Sequence, residues 1–417
     1  MDNHKLKMLS LLLCLGAFIS CNNSTTDDNS YRYKLPVTQI PEEKSIPEGD
    51  SKNPQFLNEK AEYLFKLGKR DGDEEALKQA EALSRESLRL LPKDNVVAKL
   101  AVAQIVELRH HFSEAITLAT EVIAESPNNK KAYLILTTSN LAMGKVSEAS
   151  KAIDSLAKQF PRVGVLSLRG LVFISQGREE EGVFELEKSI TLEDIGELSE
   201  STWARCILAR HFMKRNRMKD AEILLSEALR ISPESPLALD LMAQLLTFKN
   251  EPEKAVQNFD QAFSVSRQLA HLRHQAELNS QIGKKQLALD QWSQVEKLIR
   301  DEMGEDRLDH RIDLVKVLLM RKGPADAKES VGLILEELKI RQNAEIYYLL
   351  ALAHQQLGNT EYALEAILAY HRIGVRTTEA YDLTSEIYAK LQNESRSKLY
   401  RNLSKSLSAE KMKILFF

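Results

Sequence analysis

The chain has 417 residues, enough for about two or three globular domains or one long repeat array. Its 43% hydrophobic and 28% charged residues exclude wholesale disorder, and 6% aromatic content beside abundant Leu and Ala argues against a β-sandwich or barrel. The net charge of -3, with no basic stripe along the chain, supplies no field for nucleic acid, so no nucleic-acid partner is expected.

At the N-terminus, Lys5 and Lys7 precede an apolar run from Met8 to Ile19, followed by Ser20 and Cys21. The run is too short to span a bilayer and reads as an export signal over residues 1–20. The ending Phe18-Ile19-Ser20-Cys21 resembles a bacterial lipobox, with Phe18 standing where Leu or Val is usual. That resemblance implies lipidation of Cys21 and an envelope lipoprotein, with ordinary secretion as the alternative. Asn22 is not the aspartate that resembles an inner-membrane retention mark, which leans towards an outer membrane facing the periplasm. Residues 21–55 carry four prolines and scarcely any apolar periodicity, and read as a disordered tether.

From residue 56 the chain repeats. Small residues recur at Ala80, Ala115, Ala149, Gly182, Ala221, Ala255, Ala288 and Ala363. A second small residue stands twelve positions before each, at Gly68, Ala103, Thr137, Gly170, Ala209, Ala243, Ala276 and Ala351. Two such columns suit a pair of helices, A and B, that cross so closely that only small side chains fit between their backbones. Larger residues fill the core around them, among them Tyr133, Leu136, Ile153, Leu156, Phe259 and Trp292. Gly144, Gly177, Asn216, Asn250, Gly283 and Gly358 each precede their marker by five residues and suit the left-handed turn between the helices. Pro92, Pro127, Pro161 and Pro233 close early units, whereas Arg267 and Arg300 take that place later.

These columns resemble the tetratricopeptide repeat. The resemblance implies an all-α fold, a right-handed α-α superhelical solenoid of tetratricopeptide-like helix-turn-helix repeats. About nine units are expected over 56–373, one of them degenerate near 308–340, with capping helices and a tail over 374–417.

Motifs for chemistry are scarce. There is no HExxH, no Gly-rich phosphate loop and no GxSxG, so no enzyme and no cofactor are expected. His271 and His274 form an HLRH pair, but at that spacing without a neighbouring carboxylate or thiol they do not make a metal site. Cys206 is the lone thiol of the repeat region and reads as a small buried residue.

A solenoid offers a concave wall lined by helix A of each unit. The expected partner-binding residues there are Arg210, Lys214, Asp240, Gln244, Arg273, His274 and Glu277, with the basic run Ala209 to Asp220 among them. They suit a protein or peptide partner carrying carboxylates. The function expected is a membrane-anchored interaction scaffold of the cell envelope; the alternative is a glycan-binding component of polysaccharide export or uptake.

Overall fold

The computed structural model describes residues 52–71, 74–266, 268–303 and 310–409. They form twenty α-helices and a short 3-10 turn, with no strand among the described residues. The signal segment, Cys21, the tether up to residue 51 and the last eight residues lie outside them, and the end expected for the tether, residues 54 and 55, is already helical.

The helices pair in chain order. The first five hairpins are α1 (Pro54–Asp71) with α2 (Glu74–Leu90), α3 (Val96–Leu108) with α4 (Phe112–Glu125), α5 (Lys130–Ala142) with α6 (Val146–Gln159), α7 (Val163–Ser175) with α8 (Glu179–Thr191), and α9 (Leu198–Lys214) with α10 (Met218–Ile231). Next come α11 (Pro236–Phe248) with α12 (Pro252–Ser266), α13 (Leu269–Gln281) with α14 (Lys285–Met303) and α15 (Arg311–Arg321) with α16 (Pro324–Leu338). The last are α17 (Ala344–Gln356) with α18 (Thr360–Arg372) and α19 (Thr378–Lys390) with α20 (Glu394–Ala409). Each helix packs chiefly on those one or two places along the chain, which makes a tetratricopeptide-like solenoid.

The small columns explain that packing. Every residue of both columns is buried, and Ala149, Ala221 and Ala255 have no exposed surface. In the fourth hairpin a Cβ added to Gly170 would stand 2.7 Å from the Gly182 carbonyl oxygen, so the two backbones touch. The last hairpin crosses in the same way through serines: Ser385 Oγ donates to the Ser397 carbonyl at 2.9 Å.

Inside the hairpins the turn residue has positive φ at His110, Gly144, Gly177, Asn216, Asn250, Gly283, Lys322, Gly358 and Gln392. Helix A is often started by a side-chain cap. Asn95, Asn129, Ser235, Asn343 and Thr377 each accept from the backbone N–H three residues on, a contribution of about 1 kcal/mol apiece. Pro92, Pro127, Pro161 and Pro233 each follow the end of a B helix, while α14, lacking such a proline, runs on past Arg300 to Met303.

The winding of the solenoid differs from an open rod. Residues 164 to 201 positions apart meet along a seam. Asn343 Nδ2 donates to the Ala142 carbonyl at 3.0 Å, and Thr378 Oγ1 reaches the Lys214 carbonyl at 3.5 Å. Gly144 lies against the Gln342 carbonyl and Gly177 against that of Gly374. The turns of early hairpins thus rest on the connections between late ones, and the coil closes on itself after roughly six units of 34 residues.

Candidate functional site

Closure puts the inner wall indoors. Helices α7, α9 and α13 are buried around nearly their whole circumference, and α13 is rich in polar residues. A buried charge persists only with partners. The arrangement around Asp240 on α11 supplies them. Its Oδ1 accepts from His271 Nδ1 and His274 Nδ1, both at 2.8 Å, and its Oδ2 accepts from Gln244 Nε2 at 2.6 Å. Arg273 Nη2 donates to His274 Nε2 at 3.1 Å. Beyond it Lys316 Nζ pairs with Glu345 at 2.9 Å, and Arg311 with Glu337 at 3.1 Å.

Electrostatics follow from that geometry. Burial works to raise the Asp240 carboxyl, but the two imidazoles overcome it and hold the group well below the usual carboxylate range. Burial pushes the His274 imidazole down to about 4 against the pull of Asp240, so at neutral pH it is uncharged. Glu277 is pushed up to about 7 by burial, with Arg273 and Lys322 opposing.

Asp240, His271 and His274 present one ligand atom each within 4.8 Å of one another, a set that could hold a metal ion. The donor chemistry does not fit one. A guanidinium can only donate, so Arg273 forces the His274 proton onto Nδ1, where it is given to Asp240. Metal on Nδ1 would require a proton on Nε2, facing that guanidinium, and Gln244 already occupies the second carboxylate oxygen. The cluster is a polar knot between α11 and α13.

The expected concave site is therefore corrected in its accessibility. Arg210, Asp240, Arg273, His274 and Glu277 are buried, with Arg273 only 1% exposed, while Lys214 and Gln244 are half-buried. None of the seven lies on an open wall. The basic run Ala209 to Asp220 is also engaged within the chain: Arg215 pairs with Glu179, and Arg217 bonds Asp220 at 2.6 Å while stacking on Phe212. Burial pushes His211 down to about 3, so it adds no charge.

An open hollow of about 460 Å³ lies between the third and fourth hairpins, lined by Asp154, Ala157, Lys158, Arg169, Phe173 and Arg178. The Phe173 ring forms a floor, with the Arg178 and Arg169 guanidinium carbons 4.0 Å and 5.1 Å from its centroid. Asp154 holds Arg169 at 2.9 Å, and Gln176 accepts from Arg178 Nη1 at 3.1 Å. Arg178 remains 43% exposed and Lys158 is exposed beside it. Arg178 already gives its Nε and Nη2 to Glu181, so a partner carboxylate would meet the N–H bonds that these contacts leave over.

No family model matches the chain. The chain is similar to Protein NPGR2 of Arabidopsis thaliana, 21% identical over 270 residues, which cover 64% of this chain and about a third (33%) of that protein's length. Among solved structures it is similar to TTC0263, a thermophilic TPR protein of Thermus thermophilus, at 18% identity and a TM-score of 0.40, covering 48% of this chain and 100% of that one. It is also similar to the APC/C hetero-tetramer Cut9-Hcn1, at 12% identity and TM-score 0.47 over 86% of this chain and 74% of that one. The type IV pilus biogenesis factor PilW gives 15% identity and 0.40 over 49% and 94%.

Sequence reasoning missed both the knot and the hollow, though each leaves a trace. Three residues before the first small column, early units carry Phe65, Leu100 and Leu134, whereas the sixth and seventh carry Asp240 and Arg273. Charges at these two positions, both buried, mark the polar cluster. For the hollow, Arg169 and Phe173 are spaced i, i+4 on one helix, and Arg178 returns across the turn.

Proposed function

We propose that this chain is a protein-interaction scaffold of a bacterial envelope, tethered through an acylated Cys21, that grips an acidic segment of a partner. The reading is supported chiefly by the hollow at Lys158, Arg169 and Arg178. Cations meet there over the apolar Phe173 floor, and the site faces solvent. A partner carboxylate would bond the guanidinium edges while its neighbouring apolar atoms cover the ring. The tether rests on the sequence around Cys21.

A photo-crosslinking residue at position 158 in intact cells, followed by mass spectrometry, should capture an acidic segment of one protein, and the double substitution R169E/R178E should abolish the capture. Capture that survives the charge reversal contradicts the assigned surface. For the tether, metabolic acyl labelling should mark the chain and be lost in C21S; labelling retained in C21S contradicts it.

A further inference from the structure

The contacts that close the coil differ in kind from those that build it. Among the described residues seven apolar clusters make up the core, and each draws only on neighbouring hairpins: residues 133–245 in the largest, 312–391 in the next. The remaining clusters are equally local, and no cluster among the described residues joins an early hairpin to a late one. The seam instead is made by single polar, backbone and ring contacts, among them His110 with His310 at 6.4 Å between centroids. Asn343 bonds the Ala142 carbonyl, and Arg376, 46% exposed, stands 3.6 Å from Glu179. Arg341 lies 5.4 Å from the Phe112 ring centroid. Interfaces this polar between bodies that each have their own core are where relative motion is expected.

What lies behind the seam is also polar. Opening it would wet the Asp240 knot and the Lys316–Glu345 pair. Two glycines set how closely the turns approach. A Cβ on Gly144 would overlap the Gln342 carbonyl, and one on Gly177 would stand 2.6 Å from that of Gly374. Gly283 and Gly358 have the same left-handed conformation at the same place in their hairpins, yet a Cβ there would meet nothing within 4 Å.

We infer that the seam is a latch: the chain passes between this closed coil and an opened arc in which the inner faces of α9, α11 and α13 reach solvent. The apolar clusters act as rigid blocks, and the polar seam is the element that parts. The wall carrying Arg210, Arg273 and Glu277 is withheld in the closed form and offered in the open one.

The matched glycines give the test. G144A and G177A place a methyl group in the seam, whereas G283A and G358A impose the same backbone strain with no seam contact. By small-angle scattering, the first pair should have a larger radius of gyration than wild type and the second pair should not. Amide exchange in 269–281 should be at least tenfold faster in the seam variants than in their controls. All four variants scattering like wild type would overturn the latch. Should the seam variants fail to fold, K145C/Q342C supplies the second arm: closing a disulfide across the seam should slow exchange in 269–281 relative to the reduced protein. Equal exchange in the two forms would overturn it as well.

Discussion

The knot on α11 and α13 and the hollow between α6 and α7 are both clusters of charge on helix surfaces, yet they stand at opposite extremes of solvation. Asp240 is 4% exposed and both its carboxylate oxygens are engaged by the chain; Arg178 is 43% exposed, with Nε and Nη2 on Glu181 and Nη1 on Gln176. The difference teaches that density of charge does not locate a binding surface in a solenoid that closes. Where the coil shuts, charges must satisfy one another. Where it stays open, the same residue types retain capacity for a partner.

The largest effect that could break this comparison is on stability. D240A leaves two imidazoles and an amide without their acceptor in the interior and should cost about 3 to 5 kcal/mol in urea unfolding. D154A, at the hollow, should cost less than about 1 kcal/mol, because an exposed pair contributes little. Equal losses would erase the distinction.

The next effect is pH dependence at Glu277. Its folded pKa, about 7, lies above its ordinary 4.5, so the folded state favours the protonated form. That contribution is whole below about pH 4.5 and is lost as pH rises through 7. E277Q should therefore gain on wild type between pH 5 and pH 8, on the order of 2 kcal/mol, in paired denaturation curves. His274 slopes the other way: its neutral form contributes above pH 6.5 and is lost as pH falls towards 4. A flat difference between E277Q and wild type would mean that the wall is already hydrated.

A smaller gain is expected at the last hairpin. Gln392 holds a left-handed conformation, and Q392G should stabilise by about 1 kcal/mol. R178A should shift stability by no more than roughly 0.5 kcal/mol while weakening partner capture, which separates binding from folding at the hollow.

The solenoid was legible because the crossing constraint acts on residue size, and size is written in the sequence: Ala149, Ala221 and Ala255 repeat, and all are fully buried. The turns were legible where Gly or Asn takes the left-handed position. They were hidden at His110, Lys322 and Gln392, where a residue other than Gly or Asn takes that conformation. Thus the eighth hairpin, with Val315 and Ala327 at its crossing and Lys322 at its turn, shows little of the pattern. The site was less legible because accessibility depends on winding. Nothing local to Asn343 announces that its amide will meet a carbonyl 201 residues away, and that contact is part of what turns a groove into an interior.

Spin labels at Lys145 and Ile340, exposed positions on either side of the seam, measure the winding most directly. Closure of the coil predicts a dominant population at short separation, since residues 144 and 342 touch. A single distribution centred on the order of 50 Å, as expected for hairpins about six units apart in an open rod with helices spaced 8–10 Å, would contradict it.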